Sequence, residues 1–146
     1  MPTIEITATP CRHGPPLSRP VAGAVIGFAL AWPGQEHGVF WISGDTVLYD
    51  GVRRVADRLQ VDVALLHLGA VRFGLTGPVR YSMTAADAIE LATLIRPRTA
   101  IPVHHEGWSH FTQGRAGIEQ DLAHAPKEIR DTFHFLEMGT PTTVPS

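Results

Sequence analysis

The segment Val39-Phe40-Trp41-Ile42-Ser43-Gly44-Asp45-Thr46 has the pattern of a buried strand that ends in a carboxylate. An acid at the end of a buried strand is unfavourable for a hydrophobic core, because burial removes the carboxylate from water. Such a carboxylate stays charged only when a cation or several hydrogen-bond donors hold it. Two further segments, Pro10–Pro15 and Ile101–Trp108, contain histidines, which are able to bind such a cation. The sequence therefore predicts a site organised around Asp45, on which the two histidine segments converge.

Composition places the chain among globular proteins and excludes several classes of partner. Of its 146 residues, 44% are hydrophobic and 18% are charged, as expected for a single domain. The net charge is −2, the only lysine is Lys127 and the arginines are scattered, so the basic stripe of a nucleic-acid or membrane surface is missing. The single cysteine, Cys11, excludes an intrachain disulfide. No apolar run has the length of a membrane span, and the N-terminus has no signal-peptide pattern. We therefore expect a cytoplasmic protein.

The spacing of apolar residues predicts an α/β fold with the element order β, β, β, α, β, α, β, α, β. The second and third strands are joined by a short turn and should form an antiparallel hairpin, whereas strands separated by helices should pair in parallel. Thr84 is expected to cap the second helix, with Asp87 as its capping-box partner. The predicted strands are Thr3–Thr9, Gly23–Trp32, Val39–Ser43, Val61–His67, Arg98–Val103 and Thr132–Glu137; the predicted helices are 50–59, 84–95 and 113–123, and 10–20 and 68–81 are predicted loops.

Four candidate functional residues stand at or beyond the carboxyl ends of predicted strands: His13, Asp45, His67 and His104. In α/β sheets this is where functional groups gather. Histidine and aspartate together favour zinc, with manganese and iron as alternatives. Their intervals along the chain follow no local ligand-spacing rule, so only the fold can bring them together.

Three motifs give this site a family likeness. In order along the chain, Thr9–Pro15, Ser43–Thr46 and Ile101–His104 resemble the later metal-binding motifs of the metallo-β-lactamase superfamily. The closest likeness is to its branch of ascorbate-6-phosphate-lactonase-like, predicted metal-dependent hydrolases. Met83–Ala88 and Pro102–Phe111 also resemble that branch, and the resemblance covers almost the whole chain.

The resemblance assigns a role to each matching residue. His13 corresponds to the histidine that completes the first metal site, Asp45 to the carboxylate that bridges two metal ions, and His104 to the last histidine, on the second ion. Asp45 and His104 would then be the catalytic residues of a hydrolase with two metal ions. In that family, metal-bound hydroxide attacks an ester, lactone or phosphoester of a small-molecule substrate.

The sequence also departs from the family pattern. It contains no His-x-His and therefore lacks the His-x-His-x-Asp-His motif that supplies the other ligands. The superfamily fold is a four-layer αββα arrangement of two similar halves, and residues 1–146 resemble a single domain equivalent to the second half only. The resemblance then implies that each metal ion is underligated and that a single chain binds metal weakly.

A second hypothesis belongs to another class: a truncated, non-catalytic chain that is stable only as a homo-oligomer or with a complementary N-terminal half. A sheet with helices on one side leaves its other apolar face bare, and such a patch marks an interface. A two-fold dimer would imitate the two halves of the parent fold.

Each candidate also has a purely structural explanation. A lone histidine in a proline-rich loop, such as His13, is usually solvated, and Asp45 could be a helix cap or turn acid. His67 could be a buried histidine whose hydrogen bonds are satisfied. Of the adjacent His104 and His105, only one should point inward, and the motif favours His104. Cys11 is expected to be a small buried residue. Glu106, Trp108 and His110 could line a pocket, although a packing role is expected for Trp108.

Overall fold

The computed structural model describes residues 3–144 and contains one five-stranded sheet. The order of strands across the sheet is the order along the chain: β1 (Glu5–Pro10), β2 (Ile26–Ala31), β3 (Val39–Ile42), β4 (Val61–His67) and β5 (Thr99–Val103). The strands β1, β2 and β3 pair in antiparallel fashion, and β3, β4 and β5 pair in parallel. The predicted hairpin and the predicted parallel strands are confirmed.

Six α-helices complete the described part of the chain. The longest helix, α4, begins after Thr84. The Thr84 hydroxyl accepts a hydrogen bond from the backbone amide of Asp87, and the Asp87 carboxylate accepts one from the backbone amide of Thr84. This is the predicted capping box. No helix within residues 3–144 is long and apolar enough to cross a membrane. The helices are α1 (Arg19–Ala22), α2 (Asp50–Arg53), α3 (Val55–Arg58), α4 (Ala85–Ile95), α5 (Arg115–Ala123) and α6 (Lys127–Arg130), and a 3-10 turn covers Gly74–Thr76.

The hydrophobic core lies between the helices and one face of the sheet. Trp41 stands at its centre, since its side chain is fully buried and its indole Nε1 donates to the Thr9 hydroxyl at 3.0 Å. Neighbouring strands contribute residues that are paired across the sheet and therefore share this face. The strand residues of the core include Ala29, Trp41, Ala64, Leu66 and Ala100, and the helix residues include Val52, Val55, Leu91, Ile118 and Leu122.

The opposite side of the sheet, here called the outer face, is apolar where β1 and β2 form it. Ile6 pairs with Leu30 and Phe28 pairs with Ile42, so their side chains project to this side, away from Trp41. The prediction of a half-buried first strand is therefore wrong for its apolar positions, because no helix of residues 3–144 covers them. The large apolar residues exposed here are Ile4, Ile6, Ile26, Phe28 and Trp32.

Three sequence predictions about elements are wrong. The helix predicted over 50–59 is divided at Arg54 into α2 and α3, in a segment where Gly51, Val52 and Val55 are poor helix formers. The strand predicted over 132–137 is reduced to one parallel bridge between Phe133 and Ala100, since its phenylalanines pack against the core instead of extending the sheet. The loop predicted over 10–20 leads into α1, which begins inside it.

Candidate active site

Two of the three motif segments are joined by their backbones. The amide of Arg12 donates to the Thr46 hydroxyl at 3.0 Å, and the amide of Val47 donates to the Arg12 carbonyl at 2.9 Å. The thiol of Cys11 donates to the carbonyl of Asp45 at 3.3 Å. The loop after β1 therefore lies directly beside the loop after β3, although the two are more than thirty residues apart in sequence.

Asp45 and His104 meet at the carboxyl edge of the parallel strands. His104 Nε2 lies 3.5 Å from Asp45 Oδ2, and the two side chains are 26% and 35% exposed, so the contact faces solvent from a partly enclosed position. The other ring nitrogen, Nδ1, is 3.4 Å from the carbonyl oxygen of Leu68. His104 has a backbone φ of +57°, in the left-handed region that costs a non-glycine residue free energy and is common at functional sites.

His67, at the end of β4, lies on the other side of His104, with 5.7 Å between the ring centroids. The buried hydroxyl of Ser43 accepts a hydrogen bond from the His67 amide at 3.0 Å and lies 3.4 Å from its Nδ1. Burial lowers the pKa of His67, the Asp45 carboxylate opposes this effect, and His104 adds to it. His67 therefore combines the two sequence-based interpretations: its backbone is hydrogen-bonded to Ser43, and its ring lies at the strand end beside His104.

His13 belongs to the same edge of the sheet, but its ring contacts Tyr81 instead of the other candidates. The His13 and Tyr81 rings are 5.5 Å apart in an edge-to-face arrangement, and the His13 carbonyl accepts a hydrogen bond from the Ser18 hydroxyl at 2.7 Å. Within residues 3–144, no group of three or more His, Cys, Asp or Glu side chains is placed to hold a metal ion. The structure thus brings two of the three predicted ligands into contact, and the residues present do not form a complete metal site.

The remaining candidates have identifiable local roles. Burial raises the pKa of the Cys11 thiol to about 11, so the thiol stays protonated near neutral pH, in line with a packing residue. His105 is buried with its ring against Phe135, as expected if only His104 of the pair faces the site. Glu106 and Trp108 are exposed, so the packing role predicted for Trp108 is wrong.

Comparison with known proteins identifies the class of protein to which the chain belongs. Residues 1–105 match the family described as the β-lactamase superfamily domain. The chain therefore belongs to the metallo-β-lactamase superfamily, as its motifs predict, and its sheet with flanking helices is the α/β fold of that superfamily.

The particular relatives are proteins named UPF0173 metal-dependent hydrolases. The relative from Opitutus terrae is 36% identical, over 97% of this chain and 56% of its own length. A relative from Methanoregula boonei is 27% identical over 80% of this chain and 49% of its own length. The chain thus spans about half the length of the curated relatives it matches.

Solved structures show the same fold. The isothiocyanate hydrolase from Delia radicum gut bacteria superposes with a TM-score of 0.78 at 20% identity, over 99% of this chain and 56% of that one. A possible metal-dependent hydrolase from Veillonella parvula superposes with a TM-score of 0.77 at 19% identity, over 94% of this chain and 53% of that one. At these identities the likeness concerns the fold, and it again extends over about half of each neighbour.

Proposed function

We propose that this chain supplies part of the active site of a metal-dependent hydrolase that cleaves an ester, lactone or phosphoester bond in a small molecule. The contact between Asp45 and His104, at the edge where the three motif segments converge, carries the proposal. Membership of the superfamily and relatives named metal-dependent hydrolases support it.

In this proposal Asp45, His104 and His13 are the share of the metal ligands that this chain provides, and Asp45 and His104 lie nearest the reacting bond. Zinc is the preferred ion because it accepts imidazole and carboxylate ligands, with manganese and iron as alternatives. Two donors in contact are fewer than the three or four protein ligands of a typical zinc site. The proposed metal therefore requires further donors from a second copy or a complementary N-terminal half.

Replacing Asp45 with asparagine tests the proposal. Asparagine keeps the shape of the side chain but removes the charge, so we expect bound zinc per chain to fall, and ester hydrolysis to drop at least about 100-fold. Metal content is measured by plasma mass spectrometry after incubation with zinc, manganese or iron, and hydrolysis with a panel of aryl esters, lactones and phosphoesters.

The matched control is Asp57→Asn, an exposed carboxylate on α3, which should change neither quantity. Equal metal content and equal hydrolysis in Asp45→Asn and the unmodified chain would remove Asp45 from the site. A dimer of the chain that hydrolyses nothing in the panel with any of the three metals would refute a hydrolase site completed by a second copy.

The outer face favours a second candidate function, a non-catalytic chain that acts by associating with another copy or a complementary half. Ile6 and Phe28 are exposed on the paired strands β1 and β2, and Ile4 is exposed immediately before β1. Contiguous apolar surface of this kind is uncommon on a monomer and typical of an interface. The antiparallel pairing of these strands makes the surface continuous.

Ile6→Glu should prevent this association. Ile6 is 64% exposed, so the charge is tolerated in the single chain but cannot be buried in an interface. We expect light scattering to show the mass of a dimer for the unmodified chain and of a monomer, 15.9 kDa, for the variant. Leu94→Glu is the matched control, because Leu94 is 45% exposed on α4, on the helical side. The association would be contradicted if the unmodified chain had the mass of a monomer, or if Ile6→Glu and Leu94→Glu dissociated the dimer equally.

A further inference from the structure

A row of aromatic and imidazole rings links the two ends of the candidate site. We call it the aromatic row. It starts at His13 and ends at His67, and it passes through the loops 68–81 and 104–112. Its members in order are His13, Tyr81, Phe73, His110, Phe111, His104 and His67, with successive centroid distances of 5.5, 5.1, 5.4, 4.9, 4.8 and 5.7 Å.

The two loops that carry the middle of the row are bonded to one another. The amide of Arg72 donates to the His110 carbonyl at 3.1 Å, and the Thr112 hydroxyl donates to the Ala70 carbonyl at 2.6 Å. The Thr112 amide also donates to the Gly69 carbonyl at 2.9 Å. These bonds fix the spacing of the rings, so the row is organised before any ligand arrives, which reduces the ordering cost of binding.

The exposure of the rings differs along the row, and Phe73 in its middle is more exposed than His104 or Tyr81. Tyr81 is 8% exposed, whereas Phe73 is 40% exposed and Trp108 is 70% exposed. Trp108 lies beside the row, its ring 5.6 Å from His110 and tilted by 32°. Phe73 lies 5.4 Å from the same His110 ring on a 39° tilt. These three residues form a surface, the aromatic ledge, that presents ring faces and edges to solvent.

The ledge is continuous with the candidate active site. His110 contacts Phe111, and Phe111 contacts His104 at 4.8 Å. A flat group resting on the ledge would therefore be separated from His104 by the Phe111 ring, and a substrate that extends past Phe111 would reach the candidate site. Aromatic rings favour offset-stacked and edge-to-face partners at these separations, and each such contact adds about 0.5–1.5 kcal/mol beyond burial.

We propose that the aromatic ledge of Phe73, Trp108 and His110 binds an aromatic group of the substrate and selects aryl over aliphatic compounds. The occupant is a planar ring system, because offset-stacked and edge-to-face contacts need ring surfaces on both partners. This specificity rests on the proposed hydrolase function, but the binding of an aromatic ring does not require catalysis.

Indole N–H signals in a nitrogen–proton correlation spectrum test the binding directly. The chain has three tryptophans, and Trp32→Phe and Trp108→Phe variants assign their signals. During titration of the metal-free chain with 2-naphthol, we expect a saturable shift of the Trp108 signal, with the signals of Trp41 and Trp32 unmoved. Cyclohexanol should produce no saturable shift. Neither alcohol is hydrolysed, so this measurement can be interpreted even if the chain has no hydrolase activity. Conversely, a failure of 2-naphthol to bind would not contradict the hydrolase proposal.

Phe73→Ala should weaken 2-naphthol binding about 5-fold through the loss of one ring contact. Leu75→Ala is the matched control, an apolar side chain in the same loop that is fully exposed and outside the row. Circular dichroism establishes that both variants fold. The proposal would be overturned by equal shifts of the Trp108 and Trp32 signals or by an unchanged affinity in Phe73→Ala. It would also be overturned if the Trp108 signal moved with protein concentration alone, because the ledge would then be a contact between chains.

Discussion

Replacing Trp41 with alanine is expected to lower the free energy of unfolding by about 3–5 kcal/mol, the usual cost of removing a buried aromatic side chain from a core. The Trp41 ring is fully buried under the helices, and the substitution also leaves the Thr9 hydroxyl without its indole donor. Urea denaturation followed by circular dichroism measures the change as a lower midpoint with an unchanged slope.

Two further variants separate the contributions. Trp41→Phe retains most of the ring but removes the hydrogen bond, and should cost about 1–3 kcal/mol. Trp32→Ala removes an indole from the outer face, where it is already exposed, and should cost less than about 1 kcal/mol. If Trp41→Ala were no more destabilising than Trp32→Ala, the core would not lie on the helical side of the sheet.

Gly44→Ala is expected to have the second largest effect, because it acts on the fold and the site together. Gly44 has a φ of +65°, and a Cβ there would lie 2.6 Å from the Ile26 carbonyl oxygen and 3.2 Å from Cys11 Sγ. Left-handed backbone and close packing together should cost about 2–4 kcal/mol. The backbone must shift to relieve the clash, and Asp45 is the next residue, so metal content and hydrolysis should fall with stability.

Gly139→Ala is the control for a positive φ without close packing. Gly139 has a φ of +75°, but a Cβ there meets no atom within 4 Å. Thermal unfolding should therefore show a loss of about 1 kcal/mol, from the left-handed conformation only. Equal losses at the two glycines would mean that the loop before Asp45 adapts to the extra methyl group, and the coupling between fold and site would not hold.

The predictable part of the fold is the part encoded by local patterns. The continuous apolar run of Val61–His67 forms β4 within the predicted bounds, and the capping box of Thr84 and Asp87 fixes the start of α4. The rule that parallel strands present their carboxyl ends at one edge was enough to expect Asp45 and His104 together.

The parts that sequence did not predict depend on contacts between distant segments. Phe133 and Phe135 have the alternation of a strand, but packing against the core satisfies that pattern without a ladder. The aromatic row has no period along the chain, because its rings come from separate loops held together by hydrogen bonds such as that from Arg72 to His110. For the same reason the contact of His13 with Tyr81, instead of Asp45, could not be foreseen.

The strand order of the sheet has a consequence for the way in which the chain is made. Because each strand lies beside the strand that precedes it in sequence, every newly synthesised strand finds its partner already outside the ribosome. Among the five strands of residues 3–144, none needs to be inserted between two others, and each new strand can add at one open edge. Sequence-adjacent pairing of this kind shortens the loop that is closed at each step and so lowers the chain entropy lost.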